Sequence, residues 1–297
     1  MLSPDQAIDG INKRFGRHAG ARALHAKGLQ FAATFTATPQ AGRLTRAAHM
    51  QGQPVDATVR LSNGSGDPRS PDYDLDVRGM ATTFHLPDGS NTDISAQTAP
   101  RFPVRTPDDF VKLVQATEPG LRGISRLLAF VATHPGAMGA VRANAEGLKP
   151  PASLASRRYY AIHAFKWIDG SGGERHVRYT WVPEREEPPL GIREAKSRGR
   201  DYLQEEIRER LGREPARFVL SVQIAGDGDD VDDPTSVWPR QRETVTAGTL
   251  ELTGLRDGAD ERVYDPARVT DGIELSNDPI LAFRPRAYSV SAERRLG

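Results

Sequence analysis

The chain contains no cysteine. That absence excludes disulfides, thiolate zinc sites, iron–sulfur clusters and a thiolate-ligated haem, and it removes thiol oxidation as a liability. Also missing is any run of about eighteen apolar residues, the length needed to cross a bilayer. The first residues, Met1-Leu-Ser-Pro-Asp-Gln, have no basic stretch leading into an apolar one. A soluble, cytoplasmic protein with no membrane partner is therefore expected. An excess of one charge is lacking as well, since 40 Lys plus Arg face 39 Asp plus Glu for a net charge of +1. No long-range field favours nucleic acid. There is no HExxH, no Walker A sequence and no histidine pair at zinc spacing. Gly64-Ser-Gly66 lacks the third glycine of a dinucleotide fingerprint. The acidic run Asp227–Asp233 has Asp232 and Trp238 where a calcium loop needs glycine and glutamate, so it reads as a solvated turn.

What the chain does have is length and apolar content: 297 residues, 37% of them hydrophobic, suffice for a substantial core in one domain over 1–297. Ser3, Pro4 and Gln6 form a helix start with capping-box spacing, and the helix should run to about Phe15. Alternation then marks strands at Phe31–Phe35, Val55–Leu61 and Met80–Leu86. Thr106-Pro107-Asp108-Asp109 starts a second helix. The stretch from Glu118 to about Ala143 is helical, broken at Pro119 and Pro135. Strands resume at Tyr159–Ile168 and His176–Val182, joined through Gly170-Ser-Gly-Gly173. A helix from about Ile192 to Leu211, salt-bridged on its surface, precedes strands around Phe218–Ile224 and Leu250–Leu252. Roughly eight antiparallel strands are enough to close a barrel, so the expected class is α+β with an eight-stranded barrel and packed helices.

Two segments carry candidate chemistry. Arg284-Pro-Arg-Ala-Tyr288 places a guanidinium at i−4 from a phenol, where it can pair with a phenolate. A phenolate can ligate ferric haem iron. Arg22-Ala-Leu-His25-Ala-Lys-Gly28 offers a histidine that could move protons on a bound peroxide. Taken singly, the first also fits a surface contact and the second a structural histidine.

The order of short motifs resembles the core of the haem catalase superfamily, in its short catalase-related peroxidase branch. Arg22–Gly28 resembles the family's Arg-Val-Val-His-Ala-Lys-Gly segment, and Val59-Arg60-Leu-Ser62 its Val-Arg-Phe-Ser strand. Asp76-Val-Arg78-Gly79-Met-Ala81-Thr-Thr-Phe84 resembles Asp-Pro-Arg-Gly-Phe-Ala-x-Lys-Phe, and Val237-Trp238-Pro239 repeats a family tripeptide. Tyr264-Asp265-Pro266, Gly272-Ile273-Glu274, Arg284-x-x-x-Tyr288 and Arg295-Leu296-Gly297 follow in family order. The resemblance implies haem b as cofactor, Tyr288 as iron ligand supported by Arg284, and His25 as distal acid–base catalyst oriented by Ser62. It further implies Phe102 against the haem plane and Arg22, Arg60 and Arg295 on the propionates, a task suited to guanidinium forks. Strand parity places Arg60 and Ser62 on one face and Val59 and Leu61 on the other, a polar wall backed by apolar core.

Two departures bear on activity. Full catalases carry Gly-Asn-Asn-Thr-Pro where this chain reads Ala96-Gln97-Thr98-Ala99-Pro100. Gln97 thus replaces the peroxide-binding asparagine, and its amide sits one methylene, about 1.5 Å, further from the backbone. The chain also stops nine residues after Tyr288, without the arm and tail that interlock large catalases. A monomer or small homo-oligomer with open haem access is expected. The implied activity is reduction of hydrogen peroxide and organic hydroperoxides by a small organic reductant, with weak dismutation. Two alternatives stay open: a fatty-acid-hydroperoxide rearranging enzyme of the allene oxide synthase type, whose relatives carry threonine where Leu24 stands, and a haem-binding protein without turnover.

Overall fold

The structure, a computed structural model, describes residues 2–118, 120–258 and 260–297. The first helix, α1 (Pro4–Phe15), begins as its sequence dictates: Ser3 Oγ accepts from the Gln6 amide at 3.2 Å while Gln6 Oε1 accepts from the Ser3 amide at 2.9 Å. Strand β1 (Gly28–Ala37), helix α2 (Pro39–Leu44), β2 (Val55–Asn63), β3 (Arg78–His85) and β4 (Asn91–Gln97) complete the first half. Three helices, α3 (Pro107–Ala116), α4 (Leu121–Thr133) and α5 (Pro135–Asn144), lead to β5 (Tyr159–Ile168) and β6 (Glu174–Pro183). After α6 (Ile192–Ser197) and α7 (Tyr202–Leu211) come β7 (Ala216–Ile224), β8 (Thr244–Leu255), the short β9 (Ile273–Leu275) and α8 (Pro279–Leu296).

Eight antiparallel strands run in the order β4-β3-β2-β1-β8-β7-β6-β5. Gln97 of β4 pairs with Tyr160 of β5 and closes the barrel, with β9 added beside β5. That single pair makes the closure, and the β4 edge before it is met by the 265–268 loop, where the Asp93 amide donates to the Arg268 carbonyl at 3.0 Å. The interior is filled by Phe31, Phe35, Leu61, Phe84, Trp167, Trp181 and Phe218, all fully buried. Val59 and Leu61 point into this core while Arg60 and Ser62, also buried, point outward, as parity requires. Outside that wall lie α1, α3 and α8, whose Ile8, Ile11, Val114, Ala287 and Val290 pack with Ala23 and Leu24. The site therefore lies between the outer barrel wall and a helical layer.

Two sequence expectations need correction. The helix expected over 192–211 is two helices, because Gly199 adopts φ 104° and Asp201 is drawn to Lys27 at 2.6 Å. That positive φ lies in the region that glycine tolerates and helices do not use. Strand β4 was not anticipated at all. Its sequence, Asn-Thr-Asp-Ile-Ser-Ala-Gln, is too polar for the alternation test. The polar side chains have partners outside the barrel: Thr92 donates to the Arg268 carbonyl at 3.0 Å, and Asp93 accepts from the Asp265 amide at 2.7 Å. Of the two breaks expected between 118 and 143, α5 does start at Pro135, while Pro119 lies outside the described residues.

The acidic run 227–233 is a tied corner. Asp229 pairs with Arg242 at 2.8 Å, Asp233 with Arg105 at 2.7 Å, and Asp232 accepts from the Asn277 amide at 2.8 Å. No acidic or histidine cluster able to hold a metal occurs among the described residues. No helix there is long and apolar enough to cross a membrane.

Candidate active site

One row of paired residues crosses the barrel wall. Gly28 pairs with Ser62, Ser62 with Gly79, and Gly79 with Gln97. Directly paired antiparallel residues share a face, so Ser62 and Gln97 flank a position with no side chain. His25 fills that gap. A Cβ on Gly79 would stand 2.6 Å from His25 Nδ1 and 2.8 Å from Ser62 Oγ, so glycine is required for the imidazole to lie against the sheet. With it there, Nδ1 is 3.1 Å from Ser62 Oγ.

His25 is held by its backbone as well. It has φ 57°, the one non-glycine residue with positive φ among those described, at a cost of about 1 kcal/mol. Its amide donates to the Gly64 carbonyl at 2.9 Å and the Ala26 amide to the Ser65 carbonyl at 2.9 Å. The carboxylate of Asp76 fixes that loop by accepting from the Gly64 and Ser65 amides, each at 2.8 Å. On the other side Lys27, buried, is clamped by Asp72 and Asp201, both at 2.6 Å. Burial, then the charges of Arg60 and Arg284, push the His25 imidazole down to about 3. It is a neutral base at physiological pH.

Two residue pairs along the same strands, and so on the same face, Arg60 faces Gln30. Arg22 and Arg60 converge on Asp260, with Arg22 Nε at 3.1 Å and Arg60 Nε at 2.6 Å from Oδ2, and Gln30 Nε2 donates to Oδ1 at 2.7 Å. Arg295, from the last turn of α8, donates to the Glu261 carbonyl at 3.1 Å and has Nε and Nη1 buried without a partner. Burial lowers the Arg60 and Arg295 guanidiniums from their usual range, with Arg22 adding like-charge repulsion to both. Two guanidiniums thus share the Asp260 carboxylate, with the third, Arg295, close by and only partly partnered.

On the helical side, Arg284 Nε donates to Tyr288 Oη at 3.0 Å, and Nη2 also donates to it. Arg284 Nη1 reaches His163 Nε2 at 2.9 Å, and His163 Nδ1 meets Asp278 Oδ2 at 2.6 Å. His163 is buried in β5 where the pairing with β6 slips between Ala161 and Phe165, a bulge that re-aims the side chain. The Asp278 carboxylate accepts from Nδ1–H, which leaves Nε2 as acceptor for Arg284. Its other oxygen caps α8, accepting from the Ile280 amide at 2.8 Å. The helix terminus and the aim of Arg284 therefore depend on the same aspartate.

Every residue singled out from the sequence lies in one of these three groups or beside them. Phe102 stacks on Phe110 with ring centroids 5.1 Å apart and lies 6.5 Å from the His163 ring, on the Tyr288 side. Gln97, half-buried, sends its amide to the Ala99 carbonyl at 3.4 Å. The charge of Arg284 acts on His25, which links the histidine and tyrosine groups. Sequence reasoning missed His163, Asp278, Asp260 and Gln30. Asp278-Pro279 does carry an N-cap signal, but nothing local ties a strand histidine to it across 115 positions.

The catalase family model matches residues 4–297. A catalase-related peroxidase of Mycolicibacterium paratuberculosis is 46% identical, over 100% of this chain and 96% of its own length. A catalase-related peroxidase of Synechococcus elongatus is 32% identical over 99% of this chain and 89% of its own. Catalase-2 of Bacillus subtilis is 26% identical over 93% of this chain, which spans only 44% of that longer protein. With its barrel closed, and with His25 and Tyr288 each held by partners the sequence motifs supply, the chain belongs to the catalase family, and its full-length similarity is to the short catalase-related peroxidases.

Proposed function

We propose that the protein is a haem b peroxidase that reduces hydrogen peroxide and organic hydroperoxides at the expense of a small organic donor, with slow dismutation. The observation that carries this reading is the meeting, in one site, of a neutral buried imidazole on the barrel wall and a phenol held by a guanidinium on α8. The residues fit the cofactor. Arg22, Arg60 and Arg295 would hold propionates, and the buried, unpartnered Nε and Nη1 of Arg295 are donors awaiting acceptors. Asp260, which now shares Arg22 and Arg60, would have to yield part of that pairing. Tyr288 would ligate iron, and Phe102 would lie against the ring. The bound haem supplies the redox chemistry that splits the peroxide O–O bond.

The chain's own part is proton handling and selection. With Nδ1–H directed to Ser62 Oγ, His25 Nε2 keeps its lone pair, accepts the proton of a peroxide hydroxyl and returns it to the other oxygen. Arg284, steadied by His163 and Asp278, donates to the Tyr288 oxygen and would stabilise it as the phenolate, the form able to ligate iron. Gln97 governs the choice of reductant. Using a second peroxide as reductant demands a narrow placement over the first reaction site. An organic donor needs only access to the haem edge. An amide displaced by about 1.5 Å therefore penalises dismutation more, since a misplacement of roughly 1 Å can cost about a hundredfold.

The test is the visible spectrum of purified, haem-loaded protein beside Tyr288→Phe. The expected result is a high-spin ferric phenolate spectrum in the first and its loss in the second. An unchanged spectrum in the variant would remove Tyr288 from the iron.

A further inference from the structure

A second polar site adjoins the arginine cluster. A cavity of about 440 Å³ is lined by Gln30, Arg256, Glu261, Arg262, Val263 and Arg268. Its size is that of a small-molecule site, and three of its six lining residues are arginines. Arg268 is committed to the buried Asp93 at 3.1 Å. Arg256 donates only to the neutral hydroxyl of Thr58, at 3.2 Å, and among the described residues neither Arg256 nor Arg262 pairs with a carboxylate. About half of the arginines among the described residues do, including Arg22, Arg46, Arg60, Arg217, Arg242 and Arg294. Two guanidiniums with free donors at one cavity favour an anion.

The cavity shares its wall with the arginine cluster. The Arg262 carbonyl accepts from Arg22 Nη2 at 2.6 Å, and the Glu261 carbonyl from Arg295 Nη2 at 3.1 Å. Gln30, on the cavity lining, donates to Asp260, which lies on Arg22 and Arg60. A ligand here would rest one residue away from the groups that would hold the propionates.

We infer that the cavity is the docking site of the organic donor, and that this donor is anionic, a phenol carrying a carboxylate or a comparable charged group. The inference rests on the peroxidase reading above. The carboxylate would sit on Arg256 and Arg262, and the ring would give up its electrons to the bound haem. The stoichiometry closes without further reactants: two donor molecules each give up one electron and one proton. The peroxide takes both electrons and both protons, its O–O bond breaks, and an alcohol or water leaves with one water. Glu261 is the one carboxylate on the lining and opposes an anion.

The test compares 4-hydroxyphenylacetate with its neutral isostere, 4-hydroxyphenylacetamide, as donors for the haem-loaded protein. Selectivity for the anion, read as the ratio of kcat/KM values, is expected to be about tenfold at low salt and to fall as ionic strength rises. Arg256→Gln with Arg262→Gln should bring the ratio near one. Glu261→Gln should raise it, a gain that general damage to the fold does not produce. Calorimetric binding of 4-hydroxyphenylacetate to the resting protein, without peroxide, reads the cavity independently of turnover. A ratio near one in the wild type, or one that ignores these substitutions, overturns the assignment. Binding without oxidation of either donor sinks the peroxidase reading and the donor role with it.

Discussion

Gly79 is the residue on which the geometry of the site turns. Its missing side chain lets the His25 ring lie on the sheet beside Ser62. The backbone amides and carbonyls around Gly64 then hold His25 at a φ that a β-carbon ordinarily avoids. Gly79→Ala inserts a methyl group into a gap of 2.6 Å, so ring or strand has to move. Overpacking of this kind costs roughly 1–3 kcal/mol, which a barrel of this size tolerates. The loss of aim does not come so cheaply, because a positioned acid–base group contributes roughly a hundred to ten thousandfold. We expect Gly79→Ala to fold and to load haem, while kcat/KM for peroxide falls at least about a hundredfold. Stopped-flow peroxide kinetics beside a thermal melt check both halves, and wild-type kinetics in the variant would mean that His25 is not the proton carrier.

At the scale of elements, legibility followed the range of the interactions that make each one. Helix α1 was readable to the residue because its capping box spans three positions. Strands β1 and β2 were readable because core and wall alternate along them. Strand β4 was not, although it carries Gln97, because Thr92 and Asp93 are satisfied by residues some 170 positions later. The break between α6 and α7 was hidden for the same reason, since Asp201 answers to Lys27 across 174 positions. The candidate site divides in the same way. Arg284 and Tyr288 announce themselves at i, i+4, and Arg60 and Ser62 at i, i+2. His163 is aimed by a bulge and Asp260 by a loop, and neither has a sequence signature.

Across the whole molecule, buried titratable groups set a pH dependence of stability. His25 and His49 are pushed down to about 3, chiefly by burial, and burial also lowers His163. In the unfolded chain these imidazoles titrate near 6.5. As pH falls below that value the unfolded state takes up protons that the folded state refuses, and stability drops. Asp93 acts in the opposite sense. Burial raises its carboxyl from 3.8 to about 6, so the folded state keeps a proton that the unfolded state loses, and that contribution disappears as pH rises through 6. Burial also raises the Asp76 carboxyl, against the pull of Arg78 and the Ser65 and Gly64 amides, and three histidines outweigh two aspartates. Stability should fall on the order of 1–2 kcal/mol per pH unit from pH 6 towards 4, read as a declining thermal midpoint. His49→Gln, which removes one of the three groups, should flatten that decline, and an equally steep decline would remove His49 from the set. The same folded barrel has to support turnover, and there one experiment decides: a single haem-loaded sample given hydrogen peroxide and a phenolic donor, with oxygen release and donor oxidation followed together. A peroxidase built around His25, Tyr288 and Gln97 oxidises the donor and releases little oxygen. Oxygen release that outruns donor oxidation, or peroxide left unconsumed, would contradict it.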